Sequence, residues 1–448
     1  LTDAQRKALD ELFENPDGVS NPIASLRVDP VASADAASEE KGSQRTFSLG
    51  ASNDGEAQEA TVTVPTSVGL QAQANTMDSS NAGLGLAGLG LNIGAETNPS
   101  DNGNEQESTQ ITEQQLKGVD NFLQSVTDGG GQARVTSMTF TPGGGGNGTD
   151  TPIVISGDAS NSDSSASQEA VFINMRQMPA GSQLELNDVE FAVVVGSNGI
   201  NIRGGEGANT LYAGAGSDDV ILGADDDELH GGAGDDKIGS EGGNDKIFGE
   251  AGNDIVFGGA GKDILHGGAD TDTATYEGNL ADYTVTSKHG VVTVTRKDDE
   301  SDSDTVINVE HLQFADQTVD TEVTTENQAI ATLYKNILGR QADMAGFEWW
   351  NEHLDNGGNL GDMALSFLRS EEYKQTSNKD FDQLPVALQV EELYKAVLGR
   401  EADTEGRAFW VEQMLAGGEL NQITSSFINS VELTGQFTQQ ADWEFIIS

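Results

Sequence analysis

The 448-residue chain contains no cysteine, which excludes a disulfide framework, a thiolate metal site and a cysteine nucleophile. Basic residues are scarce: 23 lysines and arginines stand against 74 aspartates and glutamates, for a formal net charge of -51. Such a surface is a poor partner for nucleic acid or an anionic membrane and a good one for cations. No stretch reaches the roughly eighteen apolar residues of a membrane span, and the segment from Leu1 to Asp10 is polar and helix-like, without a signal-peptide core. A general secretory signal is thus not visible in this sequence, which begins at Leu1 and not at Met. All five histidines (His230, His266, His289, His311 and His353) follow residue 229, so the first half of the chain supplies no histidine base or ligand. His-Glu-x-x-His, Gly-x-Ser-x-Gly and a phosphate loop ending in Gly-Lys-Ser or Gly-Lys-Thr are all missing. Aromatic residues make up 6% of the chain and none lies between Ser48 and Asp120. That stretch reads as linker or extended chain, a poor wall for a substrate pocket.

What is present begins with residues 2 to 14, an amphipathic helix with Thr2 and Gln5 spaced as a capping box and a stop at Asn15-Pro16-Asp17-Gly18. One strand is expected at Ala60 to Val64, and the run from Gly83 to Leu91 alternates Leu with Gly or Ala, as a strand or low-complexity linker would. Leu116, Val119, Leu123 and Val126 recur at helical spacing, predicting a helix from Glu113 to Thr127 that Asp128-Gly129-Gly130-Gly131 ends. Short apolar runs at Pro152 to Ile155, Ala170 to Ile173 and Phe191 to Val195 read as strands. They lead without a break into a repeat.

From Gly204 through Thr275 a nine-residue register holds with no insertion, as Gly-Gly-x-Gly-x-Asp-x-U-x with U a large aliphatic. Position six holds Asn209, Asp218, Asp227, Asp236, Asp245, Asp254, Asp263 and Asp272. Position eight holds Leu211, Val220, Leu229, Ile238, Ile247, Val256, Leu265 and Ala274. The glycines permit a tight turn with carbonyl oxygens converging on one spot, and the Asp adds a carboxylate, together the hard oxygen ligands that calcium takes. The last three positions form a minimal strand with U pointing inward. Two repeats complete a coil, so repeats n and n+2 stack about 4.8 Å apart. Unpaired carboxylates at that spacing repel by about 1 kcal/mol even at the dielectric constant of water. The metal-free array is expected to be loose, with calcium folding it. His230 and His266, at position nine, are expected on the outer surface.

At these residues the sequence resembles the RTX (repeats-in-toxin, hemolysin-type calcium-binding) family. The resemblance implies a parallel β-roll with calcium bridging turns n and n+2, up to six ions in eight repeats, with the end sites weakened by the uncharged Asn209 and the small Ala274. At about ten times the dissociation constant each ion contributes roughly 1.4 kcal/mol by mass action, so several match the stability of a typical domain. In a calcium-poor cytosol that contribution vanishes, leaving the chain unfolded for export. Neither the zinc protease nor the lipase that accompanies such arrays has its motif here.

After the array, Tyr283 to Thr286, Val291 to Thr295, Val306-Ile307 and Leu312 to Asp316 read as a strand-rich cap. A second repeat has an offset of sixty residues: Tyr334, Leu338, Gly339, Arg340, Ala342, Asp343, Gly346 and Trp350 return as Tyr394, Leu398, Gly399, Arg400, Ala402, Asp403, Gly406 and Trp410. Each copy should open with an amphipathic helix ending at Gly, with the Asp as N-cap of the next helix. Arg340 and Arg400 are read first as structural and second as ligand-binding. The pattern is similar to an uncharacterised bacterial domain with a Tyr-x-x-x-Leu-Gly-Arg-x-x-Asp-x-x-Gly signature, often found beside RTX arrays. The final Asp442-Trp443-Glu444-Phe445-Ile446-Ile447-Ser448 is similar to the uncleaved signals of type I secretion.

The expected architecture is mainly β with a C-terminal α domain: a parallel β-roll or solenoid with strand-rich caps, followed by a duplicated helical module. The expected divisions are 1–150 (helix and extended region), 151–203 (N-cap), 204–275 (β-roll), 276–322 (C-cap), 323–380 and 381–437 (helical repeats) and 438–448 (secretion signal). The expected function is that of a secreted, calcium-binding extracellular structural or adhesive protein of a surface layer, biofilm matrix or filament, not an enzyme. Its partners would be calcium, the type I secretion machinery and its own copies or cell-surface components. A secreted hydrolase and a glycan-binding adhesin or toxin accessory are the alternatives.

Overall fold

The computed structural model describes residues 24–28, 44–48, 60–77, 113–128, 132–142, 151–157, 167–196, 198–205, 207–321, 325–340, 342–428 and 445–446. The expected helix at 2–14, the Leu/Gly run at 83–91 and most of the expected secretion signal lie outside them. The chain forms two compact units, residues 1–265 with 295–304, and residues 266–294 with 305–448.

In the first unit strands alternate between two sheets. Its early strands are β1 (Ala24–Val28), β2 (Gln44–Ser48), β3 (Thr61–Pro65), β4 (Val68–Met77), β5 (Gln132–Pro142) and β6 (Ile153–Ser156). These pair antiparallel, β1 with β4, β4 with β5, β2 with β3 and β3 with β6. From β7 (Ser167–Asn174) and β8 (Ser182–Asn187) onward every new pair is parallel: β9 (Phe191–Val195) lies on β7 and β10 (Ile200–Gly204) on β8. That change marks where coils begin to stack, each strand lying parallel on one from the coil before it, as in a solenoid. The strands β7 to β10 thus continue into the same two sheets as the repeats that follow them. The aromatic-free stretch is not wholly linker, since β4 runs for 10 residues within it. Its alternating Val68, Leu70 and Ala72 are buried, a period-two pattern carried by small residues instead of aromatics.

Within the array, β11 (Thr210–Ala215), β13 (Glu228–Ala233) and β15 (Lys246–Ala251) extend one sheet, while β12 (Asp219–Leu222), β14 (Lys237–Ser240) and β16 (Ile255–Phe257) extend the other. Leu211 pairs with Leu229 and Leu229 with Ile247, while Val220 pairs with Ile238 and Ile238 with Val256. Repeats n and n+2 are therefore neighbours. All eight position-eight side chains are buried, as their inward direction requires.

Helix α1 (Glu113–Asp128) covers the outer face of the first sheet. Its Val119, Leu123 and Val126 pack with Val135, Phe172, Phe191, Val193 and Tyr212, and Phe122 stacks on Phe191 at 4.9 Å. The histidines at position nine correct their expected exposure: His230 and His266 are both buried. His230 is sandwiched between Tyr212 at 4.2 Å and Phe248 at 4.7 Å, because position-nine rings of successive coils stack face to face and exclude water.

The second unit contains strands Thr273–Thr275, His311–Gln313 and Thr318–Asp320, in which Ala274 pairs with Leu312 and Leu312 with Val319. Helices follow at Thr325–Leu333, continued by a π-helical turn over Tyr334–Leu338, and at Met344–Asp355, Leu360–Leu368 and Glu371–Ser377. The second copy has helices at Val386–Leu398, Thr404–Leu415 and Leu420–Ile428. Each opening helix ends at a left-handed glycine, Gly339 with φ 67° and Gly399 with φ 68°. Asp343 and Asp403 cap the following helices by accepting from the Gly346 and Gly406 amides at 2.8 and 2.7 Å. Tyr334, Trp350, Phe367 and their counterparts Tyr394 and Phe427 share one apolar core. Phe445–Ile446 adds a short parallel strand to Ala342–Asp343.

Candidate metal centre

The position-six residues are placed by the turns as two ladders, one along each edge of the roll. In each step the Oδ1 of one aspartate accepts the backbone N–H of the position-six residue eighteen residues earlier: Asp227 from Asn209, Asp236 from Asp218, Asp245 from Asp227, Asp254 from Asp236 and Asp263 from Asp245, at 2.7 to 2.9 Å. Asp218 accepts likewise from Ile200. All eight side chains are buried. One carboxylate oxygen of each step is therefore satisfied by the fold. For Asp218, Asp236, Asp245 and Asp263 the other, Oδ2, has no hydrogen-bond donor, and neither does Oδ1 of Asn209.

These orphaned oxygens sit where a side chain would otherwise be. A Cβ on Gly231 would lie 2.6 Å from Asp236 Oδ2, and one on Gly258 only 2.0 Å from Asp263 Oδ2. The first glycine of the repeat thus leaves room for its own aspartate. The second glycine brings carbonyls together: Gly232 has φ of +103°, and a Cβ there would fall 1.8 Å from Gly214 O of the preceding coil.

Electrostatics follow from that packing. Burial pushes the carboxyl of Asp218 up to about 8, of Asp236 to about 9, of Asp245 to about 7 and of Asp227 to about 6, against backbone hydrogen bonds that pull the other way. A buried anion without a counter-charge is unstable, and a divalent cation between stacked turns is the natural remedy. Among the described residues no group of three or more His, Asp or Glu side chains is gathered as a metal site. Each gap offers two side-chain oxygens, so backbone carbonyls would complete the shell. The donor set, all oxygen and with Oδ2 of Asp218, Asp236, Asp245 and Asp263 lacking a donor, fits calcium, which when bound would supply the missing positive charge and tie adjacent coils.

Three residues outside the motif join the ladders. Asp304 Oδ1 accepts from the Asp263 amide at 3.3 Å, Glu310 Oε2 accepts from the Asp272 amide at 2.7 Å, and Asn308 Nδ2 donates to Gly268 O. No spacing rule finds them, since the nine-residue register has ended before they occur. A minor ladder also runs on the outer turn surface, where Asp226 and Asp235 accept from the amides of Asn244 and Asn253.

The buried histidines differ sharply. For His230, hydrogen bonds to Glu228 and Glu250 outweigh burial and raise it to about 9, whereas burial alone lowers His266 to about 3. In the helical module, Arg340 lies over the Tyr334 ring at 5.0 Å and pairs with Glu372 and Asp343. Arg400 repeats the contact on Tyr394 at 4.9 Å. Both guanidinium groups brace the module, in keeping with the structural reading.

Stacked coils with inward aliphatics and a ladder of half-satisfied carboxylates define a calcium-binding β-roll. Comparison with known families agrees: the model of the RTX calcium-binding nonapeptide repeat (4 copies) matches residues 195–229, 203–238, 221–247 and 239–274. A domain of unknown function, DUF4214, matches residues 314–377 and 382–437. The chain thus carries RTX calcium-binding repeats, followed on the C-terminal side by two copies of that uncharacterised domain. No curated protein and no solved structure matches it.

Proposed function

We propose that this is a protein exported through the type I secretion machinery, whose β-roll folds on meeting extracellular calcium, and which then serves a structural or adhesive role in a surface layer, biofilm matrix or filament. The observation that carries the reading is the pair of buried carboxylate ladders, in which one oxygen accepts a backbone amide while Oδ2 of Asp218, Asp236, Asp245 and Asp263 has no donor. The ligands would be Asn209, Asp218, Asp227, Asp236, Asp245, Asp254, Asp263 and Asp272, holding up to six ions. The proposed divisions of labour are 204–275 as the calcium-folded element, 151–203 and 276–322 as its caps, and 323–437 as an attachment or assembly module. Support for a non-catalytic role comes from the sequence, which lacks the hydrolase motifs named above.

A glycan-binding role is the second reading, and one observation favours it. Trp349 and Phe409, sixty residues apart at equivalent positions, are 57% and 52% exposed beside the buried Trp350 and the half-buried Trp410. Such paired platforms suit stacking on sugar rings. The discriminating experiment is calcium addition to the purified metal-free chain, followed by light scattering and negative-stain imaging. Ordered polymers are expected; a compact monomer at every calcium level would overturn the lattice role and leave calcium folding intact.

A further inference from the structure

The two ends of the Asn209–Asp227–Asp245–Asp263 edge are finished differently. Upstream, Asn209 turns its amide Nδ2 to Val189 O at 2.8 Å. A donor of the protein's own occupies that carbonyl, and the edge closes without a charge. Downstream, the next position-six residue would fall eighteen residues after Asp263, but the nine-residue register has ended. Asp304 stands there instead, from strand Ser303–Ile307, 41 residues further along the chain.

Asp304 repeats what a position-six aspartate does. Its Oδ1 accepts the amide of the preceding ladder member, and its side chain is buried. Asp263, the member it follows, is equally buried and keeps an Oδ2 with no donor. Two buried carboxylates are thus held together with an oxygen of Asp263 unanswered, an arrangement that favours a cation between them. Arg296, which ends the strand beside Ser303–Ile307, pairs with Asp298 and Asp302. On the other edge the amide of Asn308 already donates to Gly268 O. At the Asp263 end both carboxylates are buried, whereas Glu310, which accepts from the Asp272 amide on the other edge, is half-buried.

We infer that Asp304 and Asp263 frame an additional divalent-cation site, built by a residue outside the nonapeptide repeats, which carries the calcium ladder one step past the array and fastens strand Ser303–Ile307 to it. The inference rests on the calcium reading of the repeats. Two facing carboxylates with backbone carbonyls between coils form a hard-oxygen donor set of the calcium type. The consequence is a folding checkpoint: the last ion binds only when the chain beyond the array has been released and returned, so it reports completion of the cap.

The test counts ions on the full-length chain by equilibrium dialysis with calcium alone. Asp304→Asn keeps an oxygen for the Asp263 amide and removes the charge; it should bind one ion fewer than the wild type while retaining the calcium-induced β circular dichroism. Asp302→Asn should keep the wild-type count. An unchanged count for Asp304→Asn would overturn the site and mean that the pair shares a proton. A wild type that binds no calcium would instead sink the reading of the repeats themselves. Should Asp304→Asn fail to fold, hydrogen exchange on the wild type decides: slowing across Ser303–Ile307 at the calcium level that protects the repeats supports the site, and indifference there to calcium overturns it.

Discussion

The array and the helical module are both internal repeats rich in acidic residues, yet they treat aspartate in opposite ways. In the module, Asp343 accepts the Gly346 amide and pairs with Arg340, and these contacts hold its carboxyl below the usual range. In the array, burial lifts Asp236 to about 9 with one oxygen unanswered. A sixty-residue unit has room for its own arginine, tyrosine and glutamate around each polar group. A nine-residue unit has no such room: six positions make the turn, three the strand, and the counter-charge must come from solution. The difference teaches that the shorter repeat is incomplete as a chain and the longer one is not.

The largest expected effect breaks the comparison outright if it fails. Replacing Asp236, Asp245, Asp254 and Asp263 by Ala should abolish the calcium-induced rise in β circular dichroism while the helical signal of residues 325–428 persists. Loss of both signals together would show that the module depends on the roll. Chelation of the wild type should give the same division, read by hydrogen exchange as deprotection of the repeats alone.

Acid offers a subtler contrast. The folded values of about 8, 9 and 7 for Asp218, Asp236 and Asp245 lie above the unfolded value of 3.8. Between those limits the folded array binds more protons than the unfolded chain, so metal-free stability falls as the pH rises through that window and is regained on acidification. The metal-free chain should therefore recover β structure between about pH 7 and pH 5 in chelator, whereas a calcium-loaded chain should lose ions over the same range. Metal-free circular dichroism that is flat across this range would contradict the burial argument. The smallest effect lies in the module: Asp343→Ala or Asp403→Ala removes a helix N-cap and should cost about 1 kcal/mol in thermal or denaturant unfolding. That cost should be the same with and without calcium.

Much of this was legible in the chain. The β-roll that the nine-residue repeats implied by resemblance makes repeats n and n+2 neighbours, and Leu211 does pair with Leu229. The glycine and aspartate of the sixty-residue repeat foretold the left-handed stops at Gly339 and Gly399 and the caps at Asp343 and Asp403. Strand β4 escaped because its buried face is made of Val68, Leu70 and Ala72 in a stretch without aromatics. His230 was misplaced because exposure at position nine depends on what the coils above and below contribute, here Tyr212 and Phe248.

The sequence by itself determined the coil, its inward aliphatics and the chemical class of ion, because each depends on residues within one or two repeats. Tertiary structure alone decided which carboxylate oxygen is answered and which is left open. It also decided how each edge ends, with an Asn209 amide at one side and the Asp304 carboxylate at the other. The physical reason is range: a period fixes contacts eighteen residues apart, but a partner 41 residues away is chosen only when the cap folds back and buries it.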